Sequence, residues 1–246
     1  MKKIIKHISI FLLAALVFFS CEEKDFRGKT LTRNEIGTLD GYSYEFWMEG
    51  AVKGSMTLGP EGTFSCEWTS TPTTGLTGNI LFRRGRRFNS SQTHSQIGDI
   101  KINYKSTYTI TSGNVSYLCV YGWTRNPLIE YYIVESFGGY RPPGTGPGVV
   151  SRGSITIDGA TYDLFESTRT QQPSIDGTRT FQQYWSVRRN ADKRTSGTVS
   201  VSEHFKKWDE VMSQKLGRMY EVALTVEGYG SSGYADITEN EVIITK

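Results

Sequence analysis

From Gly41 to the C-terminus the chain is a succession of short runs rich in Tyr, Phe, Trp, Val, Ile and Thr, broken by Gly, Pro, Asn and Ser. "YSYEFWMEG", "GSMTLGPEGTFSCEW", "YLCVYGW", "LIEYYIVESF", "GSITIDGATYDLFES", "TFQQYWSVRR", "GTVSV", "YEVALTVEGY" and "YADITENEVIIT" follow one another in this way. Aromatic and β-branched residues suit a pleated, half-buried surface, and turn formers at this spacing end each run after a single strand. Gly59-Pro60-Glu61-Gly62 and Asp158-Gly159 read as hairpin turns. Only "EHFKKWDEVM" has a helical period; capped by Ser202, it places Phe205, Trp208 and Met212 on one face. Many strands and one helix predict an all-β fold of two packed sheets in a single domain.

The residues ahead of Gly41 have another texture. Lys2, Lys3 and Lys6 precede an apolar run from Ile8 to Phe19, interrupted by Ser9, and Ser20-Cys21 follows. That is the layout of an export signal, and a twelve-residue run is too short to cross a ~30 Å hydrocarbon core as a helix. "FFSC" resembles a lipobox with Phe18 in place of the usual leucine, and "EEKDF" resembles a surface-export signal. The expectation is a signal over 1–20, lipidation at Cys21, a polar tether over 21–40 and a folded domain over 41–246. The protein would then meet a membrane only through its lipid anchor, at the outer membrane or cell surface, or else be secreted.

The formal charge of +3 is matched by the three signal lysines, so the remainder is near neutral and net charge indicates no polyanionic partner. Arg83, Arg84, Arg86 and Arg87 are clustered as a phosphate-binding patch could be. No nucleic-acid motif accompanies them, and they read as a solvated patch on an outer sheet. Cys66 and Cys119 lie in strands of an exported chain, where pairing is permitted but not decided by sequence. His94, on an expected loop, and His204, in the helix, complete no metal-ligand pattern, and no cofactor is implied.

Strand alternation then sorts the side chains. Cys119, Tyr121 and Trp123 share one face, Glu130 and Tyr132 share one opposite Ile129, Tyr131 and Ile133, and Glu227 and Tyr229 share one opposite Val226. One sheet face thus carries aromatic rings together with two glutamates. A carboxylate costs several kcal/mol to bury as a charge, so Glu130 inside "PLIEYYIVES" calls for a chemical reason. Sugars lay flat C–H faces on such rings while their hydroxyls take hydrogen bonds, which makes this face a candidate saccharide groove.

Several ordered segments resemble glycoside hydrolase family 11, the endo-1,4-β-xylanases. "VYGWTRNPLIEYYIVES" is similar to the segment around the family's nucleophile, and "TRTQQPSIDGTRTFQQYWSVRR" to its thumb hairpin and following strand. "HFKKW" falls where the family has its helix, and "VEGYGSSGYADIT" resembles the segment around its acid/base. The resemblance spans Gly41 to Thr245. It implies a β-jelly roll of two packed, strongly curved antiparallel sheets with one α-helix, a thumb hairpin and a deep cleft, cutting xylan with retention. It also implies a monomer acting on xylan and xylo-oligosaccharides without a cofactor.

By position, Glu130 matches the nucleophile and Glu227 the general acid/base, which retention places ~5–5.5 Å apart. Trp47 matches a sugar-stacking tryptophan on the non-reducing side, and Tyr121 and Tyr132 match tyrosines bonded near the nucleophile. Arg169 and Gln183 match polar groups lining the same subsites, and Pro173, Ser174 and Ile175 match the thumb tip. Trp123 and Tyr229 are counted with the substrate-binding face on their strand parity. Asn79 matches the residue bonded to the acid/base, and asparagine there implies a near-neutral pH optimum. Glu135, Glu166 and Glu221 are nearby carboxylates without that context. Glu221 stands where many members carry a cleft tyrosine, and Phe137 where tryptophan is commoner. Two rival readings are a non-catalytic xylan-binding surface lipoprotein and a β-1,4-glucanase of a related jelly-roll family.

Overall fold

The computed structural model describes residues 28–71 and 77–246; the signal, Cys21 and the first part of the expected tether lie outside the described residues. In chain order the elements begin with β1 (Thr30–Leu31), β2 (Glu35–Leu39), β3 (Tyr42–Glu49), β4 (Val52–Leu58), β5 (Phe64–Ser70) and β6 (Asn79–Arg87). A short helix α1 (His94–Ile97) precedes β7 (Asp99–Ser112), β8 (Val115–Arg125), β9 (Ile129–Phe137), β10 (Val149–Ile157), β11 (Ala160–Gln172) and β12 (Arg179–Arg188). The chain closes with β13 (Ser196–Val199), α2 (Val201–Val211), β14 (Arg218–Tyr229) and β15 (Ser232–Thr245).

These strands form two stacked sheets. The smaller has six strands in the order β1-β4-β5-β15-β7-β13, and the larger has nine in the order β10-β11-β12-β9-β8-β14-β6-β3-β2. All pairings are antiparallel except β12 with β9, which run parallel and set Gln183 beside Glu130. Period-two alternation assigns the faces. Phe46, Phe82, Tyr131, Ile133, Leu224 and Val226 point into the space between the sheets, where they meet Trp68, Ile102 and Ile237 of the smaller sheet. Helix α2 closes the same face, with Phe205 and Trp208 packed on the ring of Tyr131. Gly122 lets that packing close: the Tyr131 hydroxyl donates to the Glu221 carbonyl at 2.5 Å, and a Cβ on Gly122 would lie 2.3 Å from either oxygen.

The two expected hairpin turns are present, joining β4 to β5 and β10 to β11. In the second, Asp158 and Gly159 both take positive φ, 51° and 74°, as a tight two-residue hairpin with right-handed strand twist demands.

Several expectations need correction. The polar stretch assigned to a tether is strand from Thr30, because β1 and β2 pair at sheet edges, where one side of the ladder suffices and polar alternation is tolerated. Helix α2 starts one residue before the expected cap, with Ser200 at its N-cap; Ser202 is the second helical residue, and its hydroxyl accepts the Ile100 N–H at 2.8 Å. His94 sits in α1 rather than a loop, its ring nitrogen 2.9 Å from Asp209 on α2.

The arginine cluster is not a solvated patch. Arg83 and Arg84 are buried on opposite faces of β6. Arg84 donates to the backbone carbonyls of Gly59 (2.6 Å), Thr63 and Leu39, and Arg86 covers the Tyr42 ring and bonds the Gly41 carbonyl. These partners are remote in sequence, so nothing local to "RRGRR" announces them. Cys66 and Cys119 are both buried and free.

Candidate active site

Strand β9 is buried along its whole length, because both of its faces are covered. Ile129, Tyr131 and Ile133 face the core between the sheets; Glu130, Tyr132 and Val134 face the other way, and Glu130 and Tyr132 line a cleft of about 710 Å³ across the nine-stranded sheet. Aromatic rings floor this cleft. Tyr132 stacks on Trp185 with centroids 4.0 Å apart, Tyr117 meets both edge-on, and Trp123 packs against Phe181 at 4.8 Å.

Glu130 is 8% exposed and fully hydrogen-bonded. Tyr121 donates to its Oε1 at 2.6 Å, Tyr132 to the same oxygen at 3.2 Å, and Gln183 Nε2–H to Oε2 at 2.5 Å. The Gln183 amide is held the right way round from behind. Trp185 Nε1–H donates to Ser167 Oγ at 3.3 Å, and Ser167 donates to Gln183 Oε1 at 3.1 Å, leaving the amide N–H for the carboxylate. Burial pushes the Glu130 carboxyl upward, while these three donors and the charge of Arg169 pull it back toward the ionised form.

Glu227 reaches the same cleft from β14, in register with Tyr117 and Leu81. Burial first, and the Glu130 charge second, push it to about 8, against weaker pulls from Tyr132, Asn79 and Arg83. Its Oε2 and the Asn79 Oδ1 are buried without a hydrogen-bond partner among the described residues. The two carboxyls are equally buried, but Glu130 is held by three donors that favour its anion, while Glu227 has an unpartnered oxygen and the Glu130 charge nearby, which favour its acid. Two carboxyls in one cleft, set in environments that push them apart, are what acid–base and nucleophilic chemistry at a single bond use.

Every other residue expected at the site lines this cleft. Trp47 stands half-buried on β3, Asn79 on β6, Tyr121 and Trp123 on β8, Arg169 on β11, Gln183 on β12, and Tyr229 is exposed at the rim. Pro173, Ser174 and Ile175 overhang it from the β11–β12 turn, where Ser174 bonds the Gly177 carbonyl and Asp176 takes a two-pronged bond from Arg125 at 2.7 and 2.9 Å. The competing carboxylates are occupied elsewhere. Glu135 is buried between Tyr104, Tyr162, Arg188 and Arg194 on the core side, and Glu166 between Arg152 and Ser213. Glu221 is paired with Arg83 and Arg87.

Sequence reasoning missed Glu45, Arg83, Tyr117, Ser167, Tyr140 and Trp185 in the lining. A signal existed for Arg83: it shares strand parity with Asn79, already placed in the cleft. For Ser167 and Tyr140 no local pattern marks the role.

The comparisons with known proteins place the chain in a family. Residues 39–238 match the family model described as glycosyl hydrolases family 11. The chain is 56% identical over 217 residues to an endo-1,4-beta-xylanase A of Thermoclostridium stercorarium, covering 88% of this chain but 31% of that longer protein. It is 51% identical to an endo-1,4-beta-xylanase A of Bacillus pumilus, covering 88% of this chain and 87% of that one. The solved family 11 xylanase of Neocallimastix patriciarum superposes with a TM-score of 0.78 at 40% identity, covering 88% of this chain and 100% of its own.

Proposed function

This chain belongs to glycosyl hydrolases family 11, and on that footing we propose that it cuts internal β-1,4-xylosidic bonds of xylan by a retaining double displacement. The observation that carries the reading is the pair of buried carboxyls lining one aromatic cleft, Glu130 bonded by three donors and Glu227 with an oxygen that has no partner among the described residues. Glu130 attacks the anomeric carbon and forms a glycosyl ester as the bond to the leaving oxygen breaks, and Glu227 gives that oxygen its proton. The Glu130 charge is consumed in the ester, so Glu227 is released from the repulsion that held its proton. It then takes a proton from water as the water oxygen attacks the same carbon and the ester bond breaks. Two inversions return the original anomeric configuration.

The remaining residues hold the chain of sugars. Trp47 stacks on a xylose ring on the non-reducing side, Tyr121, Tyr132, Arg169 and Gln183 bind around the sugar at the nucleophile, and Trp123 and Tyr229 extend the platform. Asn79 bonds Glu227, and Pro173, Ser174 and Ile175 cap the substrate from above. The catalytic unit, placed at residues 41–246, is extended by β1 and β2, acts as a monomer, and is exported behind the 1–20 signal with its anchor at Cys21. Replacing Cys21 with Ala should move the protein from the membrane to the soluble fraction.

The test is direct. Glu130→Gln should abolish reducing-sugar release from xylan while leaving xylo-oligosaccharide binding within a few-fold, and proton NMR of the first product of the wild type should show the β-anomer. An α-anomer refutes the mechanism. Unchanged hydrolysis by the variant removes Glu130 from it, and faster hydrolysis of carboxymethylcellulose than of xylan replaces the substrate by β-1,4-glucan.

A further inference from the structure

We propose that Arg83 is a positioning residue for Glu130, acting through the Tyr121 ring that its guanidinium covers. The inference rests on the reading of Glu130 as nucleophile. Arg83 is almost wholly buried in the cleft wall, with its guanidinium carbon 5.0 Å from the Tyr121 ring centroid. It is gripped there by Glu45 of β3 on one side and by Glu221 of β14, 3.0 Å away, on the other. Arg87 lies 3.3 Å from Glu45 and 3.7 Å from Glu221, so the four side chains form a closed cluster of two acids and two bases. Such a cluster adds no net charge to the cleft; its effect is local and is set by the member nearest the ring.

Tyr121 is held at three points. Arg83 covers its face, Trp123 Nε1–H donates to its hydroxyl oxygen at 2.6 Å, and that hydroxyl donates to Glu130 at 2.6 Å. A cation on an aromatic face is attracted to the ring's electrons, and in a water-poor site the attraction is little screened. Electron density drawn toward the cation leaves the phenol O–H a stronger donor, and a stronger donor favours ionised Glu130. The charged and titratable neighbours are few. Tyr121 is acted on by Arg83 from β6, Glu130 from β9 and Glu221 from β14. Glu130 meets Tyr121, Tyr132, Gln183, the charge of Arg169 and the nearby Glu227.

The probe is a 2-deoxy-2-fluoro xylobioside with a dinitrophenolate leaving group. Its trapping rate needs Glu130 ionised but no proton from Glu227, because the leaving group departs as a stable anion. The main variant combines Arg83→Met with Glu221→Gln, which removes one charge of each sign and leaves Glu45 paired with Arg87. Trapping at the acid end should slow by about tenfold, with the acid midpoint raised by about one pH unit and probe affinity within about twofold. In a Tyr121→Phe background the same pair of changes should add nothing, because the bond they act through is gone.

An unmoved acid midpoint overturns the proposal, and so does an equal shift in the Tyr121→Phe background. Should the combined variant fail to fold, Arg83→Gln with Glu221→Gln serves, since it too removes the cation from the ring and keeps a polar side chain beside Glu45. A shift in the same direction supports the proposal, and no shift overturns it. Failure of the underlying reading shows separately, as a wild type that the probe leaves unlabelled at Glu130.

Discussion

Glu227 is kept protonated at neutral pH by burial and by the Glu130 charge, and that arrangement opposes folding. In the unfolded chain the carboxyl ionises near its ordinary value of 4.5, while in the folded protein it holds its proton to about 8. Between those limits the folded state binds more protons, so stability falls as pH rises through that window. Glu227→Gln removes the penalty, which at pH 7 is on the order of 3 kcal/mol. The variant should melt several degrees above the wild type at pH 7 and match it below pH ~4, as calorimetry across pH will show. On the proposed mechanism the wild-type rate should fall as pH rises through about 8, where Glu227 loses the proton it would give. A stability gain that accompanies loss of the reaction marks a side chain held in place for chemistry.

Among the elements, the β11–β12 turn overhangs the cleft, and its tip is tied down by Asp176 on Arg125 at the end of β8. Arg125 in turn lies on the Tyr220 ring at 4.5 Å. The pair is about one-third exposed, so it is worth little to global stability. Its effect should appear in the turn's own opening and closing. Asp176→Asn is expected to raise KM for xylan by about three- to tenfold, with kcat within about twofold and the melting temperature unchanged. Steady-state kinetics with a parallel thermal melt checks both halves. This hairpin was legible from "QQPSIDGTR", but its tether to β8 was not, because the bond joins segments that neither strand period nor turn chemistry relates.

For the molecule as a whole, acid tolerance should be set on the face away from the cleft. His204 of α2 is fully buried against Tyr162 and Trp208, with no hydrogen-bond partner for either ring nitrogen among the described residues. Burial, helped by Arg188 and Arg194, lowers it to about 3. Below its ordinary value of 6.5 the unfolded chain takes up a proton that the folded one refuses, so stability is lost as pH falls toward 3, at ~1.4 kcal/mol per pH unit from this group alone. His204→Phe keeps a flat ring in the same apolar setting and should flatten the acid side of the stability–pH curve measured by urea unfolding at pH 4 and 6, with the cleft's chemistry unaltered.

The all-β class, the two sheet faces, the helix and the shared faces of Tyr121, Trp123, Glu130, Tyr132 and Glu227 were readable from the chain, because period-two alternation and turn chemistry are local and survive in any context, whereas Trp47, Asn79, Arg169, Gln183 and the thumb tip came only from the family resemblance. Glu130 stood out for the same reason, as a carboxylate on a strand with no polar justification. Only the tertiary structure supplies a physical reason for the roles that the resemblance implied, since donors to Glu130 arrive from β8, β9 and β12 while Glu227 on β14 is left with an unpartnered oxygen beside the Glu130 charge. It also turned four arginines read as a surface patch into two buried anchors and their neighbours, because Arg83 and Arg84 find partners only once β3, β14 and the β4–β5 turn are brought beside β6. Burial and charge pairing are properties of strand order, and strand order is not written in any one stretch of sequence.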